Sequence, residues 1–280
     1  MDYILYNPLS GHGKVDQKGE SLKSELNLKD AKCLSVLDIN YDDFLSELRD
    51  FDRVIICGGD GTINKAANFL HNKYLPCPFY YYASGTGNDF FTDTKETAKE
   101  GLVYLNDYLA HLPRVVVKGE TVRFLNGIGF GIDGEACRVA DEMTAKGKTD
   151  INYASISVNL LLFHFRKPKA TVEVDGKVYN FKNVWLASSM KGKYYGGGMK
   201  IAPEQNRNSD ELTFVVIHRR CRLATLIAFP SLFKGEHVNK KGFTTVIKGK
   251  HIKVTFSHPM ALQIDGETRL NVKEYEVFAD

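Results

Sequence analysis

The sequence predicts two domains of different class, α/β plus all-β: an N-terminal three-layer domain with a parallel sheet, then a C-terminal β-rich sandwich. At 280 residues, the chain exceeds the usual size of a single hydrophobic core. At first, short apolar runs alternate with helical patterns, which is typical of a parallel sheet with crossover helices. Strand-like runs dominate later, which favours an antiparallel sandwich. The predicted domains cover residues 1–120 and 121–271.

The sequence argues against nucleic-acid binding and against a membrane-spanning or secreted protein. The net charge is 37 − 34 = +3, which is too small to indicate nucleic-acid binding. The five cysteines form no CxxC pair, as expected for reduced thiols in a cytoplasmic protein. No apolar run reaches the roughly 18 residues of a spanning helix, and the first residues lack a signal peptide's basic region. We therefore expect a cytoplasmic protein that is peripheral at the inner face of the membrane.

The first strand-like run, Tyr3–Tyr6, ends in a polar turn at Asn7–Lys14, before a helical pattern from Asp16 to Leu26. The position of the turn suits phosphate binding. A Walker A loop is excluded because Lys14 precedes Val15 rather than Ser or Thr. An ordinary turn between strand and helix explains the segment equally well. The alternation continues with a predicted strand at Cys33–Leu37 and a predicted helix at Asp42–Arg49.

The third predicted strand, Val54–Cys57, breaks into glycines around one carboxylate. Gly58, Gly59 and Gly61 lack Cβ atoms where the backbone must turn, so main-chain N–H groups can approach an anion closely. Phosphate is the obvious anion, and Asp60 beside it would hold Mg²⁺ or take up a proton. A plain loop is the alternative, because Gly and Asp are common turn formers. The turn alone leaves both interpretations open.

A second glycine turn, Ala83–Phe90, follows the predicted strand Phe79–Tyr82. Ligands of open α/β sheets lie outside the carboxyl ends of the strands, so we expect both glycine turns to face one crevice. Asp89 in the second turn would then join Asp60. A predicted helix at Lys95–Leu109 and a predicted strand at Arg114–Val117 follow.

The second domain carries mainly strand-like runs and two helical insertions, at Tyr153–Phe165 and Leu223–Phe233. Apolar stripes on helices usually pack inward, and buried packing is our preferred interpretation of both insertions. Contact with a lipid surface is the alternative, since Arg166, Lys167 and Lys169 could meet anionic headgroups. The predicted strands are Val122–Gly127, Ala170–Val174, Val178–Leu186, Leu212–Ile217, Thr244–Lys248, Ile252–Phe256 and Leu262–Ile264.

Six motifs in order resemble the diacylglycerol kinase catalytic family, which includes bacterial lipid kinases and sphingosine kinases and is related to NAD kinases. The motifs are Asn7-Pro8-x-Ser10-Gly11, Gly58-Gly59-Asp60-Gly61-Thr62, Gly85-Thr86-Gly87-Asn88-Asp89, Asn126-x-x-Gly129-x-Gly131-x-Asp133, Gly196-Gly197-Gly198-Met199 with Ile201-Ala202-Pro203, and Asp265-Gly266-Glu267. This resemblance implies a lipid kinase that uses Mg²⁺ and transfers the γ-phosphoryl group of ATP to a hydroxyl of diacylglycerol or a similar lipid. A nucleotide-binding domain would precede a lipid-substrate domain. The resemblance also implies that residues 272–280 complete the first domain and that the protein forms a homodimer.

The resemblance further implies the residues of the site. Mg²⁺ would be held by Asp60 and Asp89. Bacterial relatives bind a structural Mg²⁺ with an Asp-Asp-Gly-x-Leu segment, which makes Asp210 a third expected metal ligand. This chain departs from that pattern, because it has Asn208-Ser209-Asp210-Glu211-Leu212 and lacks the glycine. The expected nucleotide-binding residues are Asn7, Ser10, Gly11, Gly58, Gly59, Asp60, Gly61, Thr62, Asn64, Gly85, Thr86, Asn88 and Glu267.

Phosphoryl transfer needs a group that accepts the proton of the attacking hydroxyl. The resemblance makes Asp265 our first choice for this catalytic base, with Glu267 as a metal-linked or orienting residue and Asp60 as the rival base. A plain hairpin turn is the structural alternative, because Asp-Gly between strands is a common hairpin signal. For Asp133, capping of the next helix is preferred over catalysis.

Two other functions stay open. NAD kinase-like phosphorylation of a soluble cofactor would also use the first glycine motif, but the motif at Gly85–Asp89 favours the lipid branch. Asp89 itself disfavours a sphingosine kinase-like specificity. A non-catalytic nucleotide sensor is the last alternative, and the retained acidic residues argue against it: Asp60, Asp89, Asp265 and Glu267. The expected partners are ATP and a lipid, without nucleic acid.

Overall fold

The chain divides between Leu112 and Pro113 into two units, Met1–Leu112 and Pro113–Asp280. The division in the computed structural model thus falls eight residues before the boundary expected from the sequence. The structure describes residues 1–8, 18–85, 87–148, 151–219 and 221–279.

The first unit is built on a five-stranded sheet with the order β2-β1-β3-β4-β5. Strands β1 to β4 are parallel, and β5 runs antiparallel to β4. The strands are β1 (Asp2–Tyr6), β2 (Lys32–Ser35), β3 (Arg53–Gly58), β4 (Phe79–Ala83) and β5 (Leu102–Tyr104). The helices are α1 (Lys18–Glu25), α2 (Tyr41–Glu47), α3 (Asp60–Leu70), α4 (Asp89–Thr94) and α5 (Asn106–Ala110). The parallel α/β arrangement is therefore confirmed.

The helix predicted at Lys95–Leu109 is wrong. The backbone turns at Glu100 and Gly101, which have φ of 53° and 78°, outside the helical region. Residues Leu102–Tyr104 then pair with Tyr80–Tyr82 as an edge strand. A helical spacing of apolar residues did not reveal the turn, because only Gly101 signals it in the sequence.

The second unit is an antiparallel β-sandwich, as the sequence predicts. Within the described residues its ten strands follow the order β13-β12-β11-β8-β14-β15-β6-β7, with β9 on β14 and β10 on β9. The strands are β6 (Arg114–Val117), β7 (Glu120–Arg123), β8 (Gly127–Gly131), β9 (Ala170–Val174), β10 (Lys177–Phe181), β11 (Val184–Met190), β12 (Leu212–His218), β13 (Thr244–Gly249), β14 (His251–Ile264) and β15 (Glu267–Phe278). The helices are α6 (Ile132–Ala145), α7 (Tyr153–Asn159), α8 (Arg222–Ala228) and α9 (Pro230–Lys234).

Strand β14 pairs with strands in both parts of this sandwich. Its pairing with β15 shifts register between Thr255 and Met260, around Pro259, which cannot donate a ladder hydrogen bond. Before the shift β14 pairs with β9, and after it β14 pairs with β8. Phe130 of β8 stacks on Phe256 of β14 with ring centroids 3.9 Å apart in the core.

The C-terminal strand β15 pairs with β14 and with β6, so the residues from Val272 to Phe278 lie in the sheet of the second unit. The sequence resemblance had implied that this segment completes the first domain. Its alternating burial, with Val272, Tyr275 and Val277 inside the core, gives the reason for its place in this sheet.

The helices of the second unit cover one part of its core. Helix α6 follows β8 directly and is the helix that the sequence analysis expected after Asp133 without giving its bounds. Helix α7 continues into a π-helical turn at Leu160–His164, in which the Phe165 N–H donates to the Leu160 carbonyl at 3.0 Å. No helix of the described ranges is long and apolar enough to cross a membrane.

We expect Gly134→Ala in α6 to lower the free energy of unfolding by about 1–3 kcal/mol, the usual range for overpacking. A Cβ on Gly134 would lie 2.1 Å from the Ala261 carbonyl oxygen of β14, and a backbone atom cannot rotate away. The matched control is Gly61→Ala in α3, because no atom of the described residues lies within 4 Å of a Cβ there. Gly61→Ala should leave the free energy of unfolding unchanged or raise it by up to about 1 kcal/mol, because alanine has a higher helix propensity than glycine. Urea unfolding that gives both variants the same stability would contradict the close approach of α6 to β14.

Candidate functional site

The two glycine turns of the first unit pack directly against each other. The N–H groups of Ser84 and Gly85 donate to the Gly58 carbonyl at 3.0 and 3.2 Å. A Cβ on Gly85 would lie only 2.4 Å from the Gly59 Cα, so the contact requires the absence of a side chain at this position. The strand order had predicted this meeting, because β3 and β4 are neighbours in the sheet.

The Asp60 carboxylate ties the two turns together. Its Oδ2 accepts the Asp89 N–H at 2.8 Å, and its Oδ1 accepts the Phe90 N–H at 3.0 Å, at the start of α4. In return, the Asp60 N–H donates to the Gly87 carbonyl at 2.9 Å. Asp60 is therefore a capping group for α4 as well as the first residue of α3. Asp89 is buried immediately beside it.

Asp60 and Asp89 are carboxylate residues in direct contact through the Asp89 N–H, and Mg²⁺, which keeps much of its hydration, takes few protein carboxylates. Burial raises the pKa of the nearby Tyr81 hydroxyl, and the charges of Asp60 and Asp89 raise it further. The hydroxyl thus stays protonated and donates to the Gly58 carbonyl at 3.0 Å. Across the described part of the chain, no three His, Cys, Asp or Glu side chains converge to hold a metal ion alone.

The polar side chains of the first-unit motifs surround the same turns. Asn7 Nδ2 donates to Thr62 Oγ1 at 3.4 Å, and Asn88 Nδ2 donates to the Gly85 carbonyl at 2.8 Å. Asn64 is buried one turn into α3, where its Oδ1 accepts from Asn68 at 2.9 Å. Gly61 lies on the open side of the helix start. The remaining expected nucleotide contacts Ser10, Gly11 and Thr86 lie outside the described residues.

In the second unit, Asp265 lies in the two-residue hairpin between β14 and β15. Both turn residues, Asp265 and Gly266, have positive φ, at 45° and 88°, so the hairpin alternative describes the backbone correctly. The carboxylate nevertheless has a second task. Its Oδ1 accepts the N–H groups of Asn126 at 2.9 Å and Gly127 at 2.8 Å, and its Oδ2 accepts the Leu125 N–H. Three amides thus fix its orientation.

The two other acidic residues expected at the site differ in exposure. Glu267 begins β15 with a side chain that is 40% exposed, 3.5 Å from the Arg269 guanidinium. Asp210 is exposed and pairs with the Lys250 ammonium, whose hydrogen bond is the main cause of the lowered pKa of this carboxyl. The structure therefore brings Asp60 and Asp89 together and provides a lysine, rather than another carboxylate, as the partner of Asp210.

A buried polar cluster that the motifs did not predict lies at Asp133. Asp133 Oδ2 accepts from the Tyr195 hydroxyl at 2.8 Å, and that hydroxyl accepts from Ser188 at 2.9 Å. Asp133 Oδ1 is buried and has no hydrogen-bond partner among the residues that the structure describes. Burial raises the pKa of this carboxyl to about 6, against the opposing effect of the Tyr195 hydrogen bond.

Asp133 and Tyr195 stand at the wall of a pocket that is otherwise mostly apolar. The pocket is formed between the sheet and the helical segments α7, α8 and α9, with the π-helical turn among them. Its lining includes Leu161, Trp185, Ile217, Phe229, Leu232 and Phe243. A pocket with such an apolar lining suits a ligand that has an apolar body.

Sequence reasoning missed Tyr195 and underestimated Asp133. Asp133 was assigned to helix capping, and it does lie in the first turn of α6, but Tyr195 occupies one of its oxygens. The only sequence signal for Tyr195 was its place immediately before the Gly196–Gly198 motif. The pairing joins residues 62 positions apart, and no spacing rule predicts such a contact.

Two family models match the chain. The diacylglycerol kinase catalytic domain matches residues 3–108, and the YegS C-terminal NAD kinase beta sandwich-like domain matches residues 126–274, more than half of the chain. A diacylglycerol kinase of Bacillus subtilis is 26% identical over 277 residues, which cover 94% of this chain and 88% of the relative. A diacylglycerol kinase of Mycobacterium tuberculosis is 23% identical, with coverage of 89% and 84%.

A solved structure of a diacylglycerol kinase from Bacillus anthracis has the same fold. It superposes with a TM-score of 0.62 at 18% identity and covers 99% of this chain and 94% of that one. The two family matches, in chain order, account for both units of the structure. The chain therefore belongs to the diacylglycerol kinase catalytic family, a family of kinases that transfer phosphoryl groups.

Proposed function

We propose that this protein is a lipid kinase that uses ATP and Mg²⁺ and phosphorylates a hydroxyl of diacylglycerol or a similar lipid. The observation that carries the acceptor class is the apolar pocket with Asp133 at its wall. The apolar lining matches an acyl chain in its chemistry, and the cavity of about 30 Å³ would have to widen to admit one. A highly polar soluble cofactor such as NAD matches this lining poorly, so the pocket favours the lipid alternative over the NAD kinase-like one.

The first unit supplies the nucleotide side of the proposal. Backbone N–H groups at the turns of Gly58, Gly59 and Gly85 would approach the phosphates, as glycine turns before a helix commonly do. Mg²⁺ held by Asp60 and Asp89, directly or through water, would neutralise charge on the triphosphate. The hydrogen bonds of the Asp60 carboxylate to the first N–H groups of α4 keep Asp60 next to the residue Asp89.

The second unit supplies the acceptor side. In our proposal, Asp265 accepts the proton of the lipid hydroxyl, and Glu267 orients the reacting groups. The three amides of residues 125–127 hold the Asp265 carboxylate in one direction, which is the positioning that phosphoryl transfer depends on. Asp60 remains the rival base.

Contact with a membrane surface belongs to the same proposal, because a lipid acceptor is delivered from a bilayer. Phe163, Leu223 and Ile227 are 67%, 63% and 73% exposed beside the helical wall of the pocket. Arg166 and Lys169 are exposed in the same region of the chain. Apolar side chains next to cations are the features that interfacial helices present to anionic lipids.

An acceptor panel tests the proposed function. Purified protein with radiolabelled ATP and Mg²⁺ should label a lipid presented in vesicles with phosphatidylglycerol, when diacylglycerol, monoacylglycerol, sphingosine, undecaprenol and NAD are compared. Transfer to NAD alone would overturn the lipid assignment. ATP binding without transfer to any acceptor would support the sensor alternative. The same vesicles should pull the protein down on sedimentation more strongly than uncharged vesicles, because the exposed cations favour anionic headgroups.

We expect Asp265→Asn to lower kcat by roughly 10²-fold or more, the usual scale for loss of a general base. The KM for ATP should change little, since the change lies in the acceptor-side unit. Asn tolerates positive φ as Asp does, so the turn is kept, but its NH₂ group would face a backbone N–H. Circular dichroism at the assay temperature must therefore show a folded variant. Near-normal turnover of the folded variant would move the role of base to Asp60.

We expect Asp133→Asn to raise the KM for the lipid and to change stability with pH. The pKa of Asp133 is raised from 3.8 to about 6 in the folded state, so its stabilising contribution is present below pH 3.8 and is lost as the pH rises through about 6. The variant should gain stability relative to the wild type across this window and no further above it. Urea unfolding at about pH 4.5 and about pH 7.5 measures the difference.

The matched control for this pH test is Asp141→Asn, the same substitution on the exposed side of α6. Its effect on stability should stay nearly the same at both pH values. A pH-independent effect of Asp133→Asn would show that the carboxyl titrates as an ordinary exposed one. An unchanged KM for every lipid acceptor would separate Asp133 from substrate binding.

A further inference from the structure

The loop that leads into β12, residues 203–211, is closed by side chains of the protein at the place where family resemblance implies a structural Mg²⁺. The Ser209 carbonyl accepts from the Lys191 ammonium at 2.9 Å. The Glu211 carbonyl accepts from Gln205 Nε2 at 2.9 Å. The Asp210 carboxylate pairs with Lys250. The Asp210 carboxylate, the expected metal ligand, is thus paired with one ammonium, and a second ammonium lies on the neighbouring Ser209 carbonyl. Two positive charges at this place repel a divalent cation, so the donor set does not fit a bound metal.

Lys191, which binds this loop, is a buried lysine. It is 5% exposed, and its backbone N–H donates to the Asn126 carbonyl at 2.9 Å. Burial lowers the pKa of its ammonium, Arg207 lowers it further, and Asp210 raises it. A buried ammonium is costly unless its hydrogen bonds are made, and here it bonds to the loop carbonyl. The side chain therefore fixes the loop to the segment that directly follows β11.

Arg207, in the same loop, reaches the segment that holds the proposed base. Its guanidinium donates to the Leu125 carbonyl through Nη1 and to Asn126 Oδ1 at 2.8 Å through Nη2. Leu125 and Asn126 are two of the three residues whose N–H groups hold the Asp265 carboxylate. Arg207 thus binds oxygen atoms of this segment, and Asp265 binds its N–H groups.

We propose that Lys191 replaces the structural Mg²⁺ of the loop and that Arg207, held by this loop, is a positioning residue for Asp265. The loop then needs no divalent ion to keep its shape, and Arg207 fixes the three amides that aim the carboxylate. The positioning role rests on the proposed function of Asp265 as base. The replacement of the metal does not rest on it.

The metal-free loop is tested by thermal unfolding of the nucleotide-free protein in Mg²⁺ and in EDTA. The wild-type melting temperature should be the same in both, whereas Lys191→Met should melt at a lower temperature. Lys250→Met is the matched control, because its pair with Asp210 is exposed and such pairs contribute little. A fall in the melting temperature in EDTA that persists in Asp60→Asn, in which the proposed Mg²⁺ site of the first unit is weakened, would overturn the replacement of the metal.

The positioning role is tested with Arg207→Lys, which keeps the charge but cannot bond both oxygen atoms in the fork geometry of arginine. We expect kcat to fall about tenfold, as for a misplaced catalytic group, with the KM for ATP within about twofold of the wild type. Amide hydrogen exchange of residues 125–127 should speed up in this variant even where activity is not measured. Unchanged exchange and unchanged kcat would overturn the role.

The two proposals can fail separately. If Asp265→Asn turns over normally while Arg207→Lys speeds amide exchange at residues 125–127, Asp265 is not the base and Arg207 holds only a structural segment. If Asp265→Asn is slow while Arg207→Lys has normal kcat and normal exchange, the base assignment stands and the positioning role falls. Lys191→Met with wild-type melting temperature would remove Lys191 from the loop's stability.

Discussion

The arrangement of the candidate nucleotide site depends on the hydrogen bonds between the Asp60 carboxylate and the amides that open α4. These bonds cross from the turn after β3 to the turn after β4, which also meet through backbone hydrogen bonds to the Gly58 and Gly87 carbonyls. Glycine permits the close approach of the backbones but has no side chain with which to link them. Asp60 provides the link, which is why one carboxylate stands among glycines.

The sequence predicted most of the first unit because its signals are local. Apolar runs that end in glycine identify β3 and β4, and parallel neighbours bring their carboxyl ends to one edge. The exception is β5, where the turn at Glu100–Gly101 overrides a helical spacing of apolar residues. The meeting of Asp60 with Asp89 followed from strand order, whereas the capping of α4 by Asp60 did not, because a cap usually comes from the residue before the helix.

The second unit was predicted as a class but not in its contacts. Alternating burial identifies strands, yet pairs such as Asp133 with Tyr195 or Arg207 with Asn126 join positions that are far apart in the chain. Such pairs are set by the register of long strands and by loops without a motif. The surroundings of Asp265 were predictable only in part. Its hairpin was visible in the sequence, but the three amides that surround its carboxylate belong to a segment 138 to 140 residues earlier.

The π-helical turn at Leu160–His164 contributes both to the wall of the apolar pocket and to the exposed apolar surface beside it. One added residue in a helical turn rotates everything after it by about 100° relative to an α-helix. In this chain the rotation leaves Leu160 and Leu161 buried and turns Leu162 and Phe163 to the outside. A relative with one residue fewer here would exchange a wall residue of the pocket for an outward-facing one.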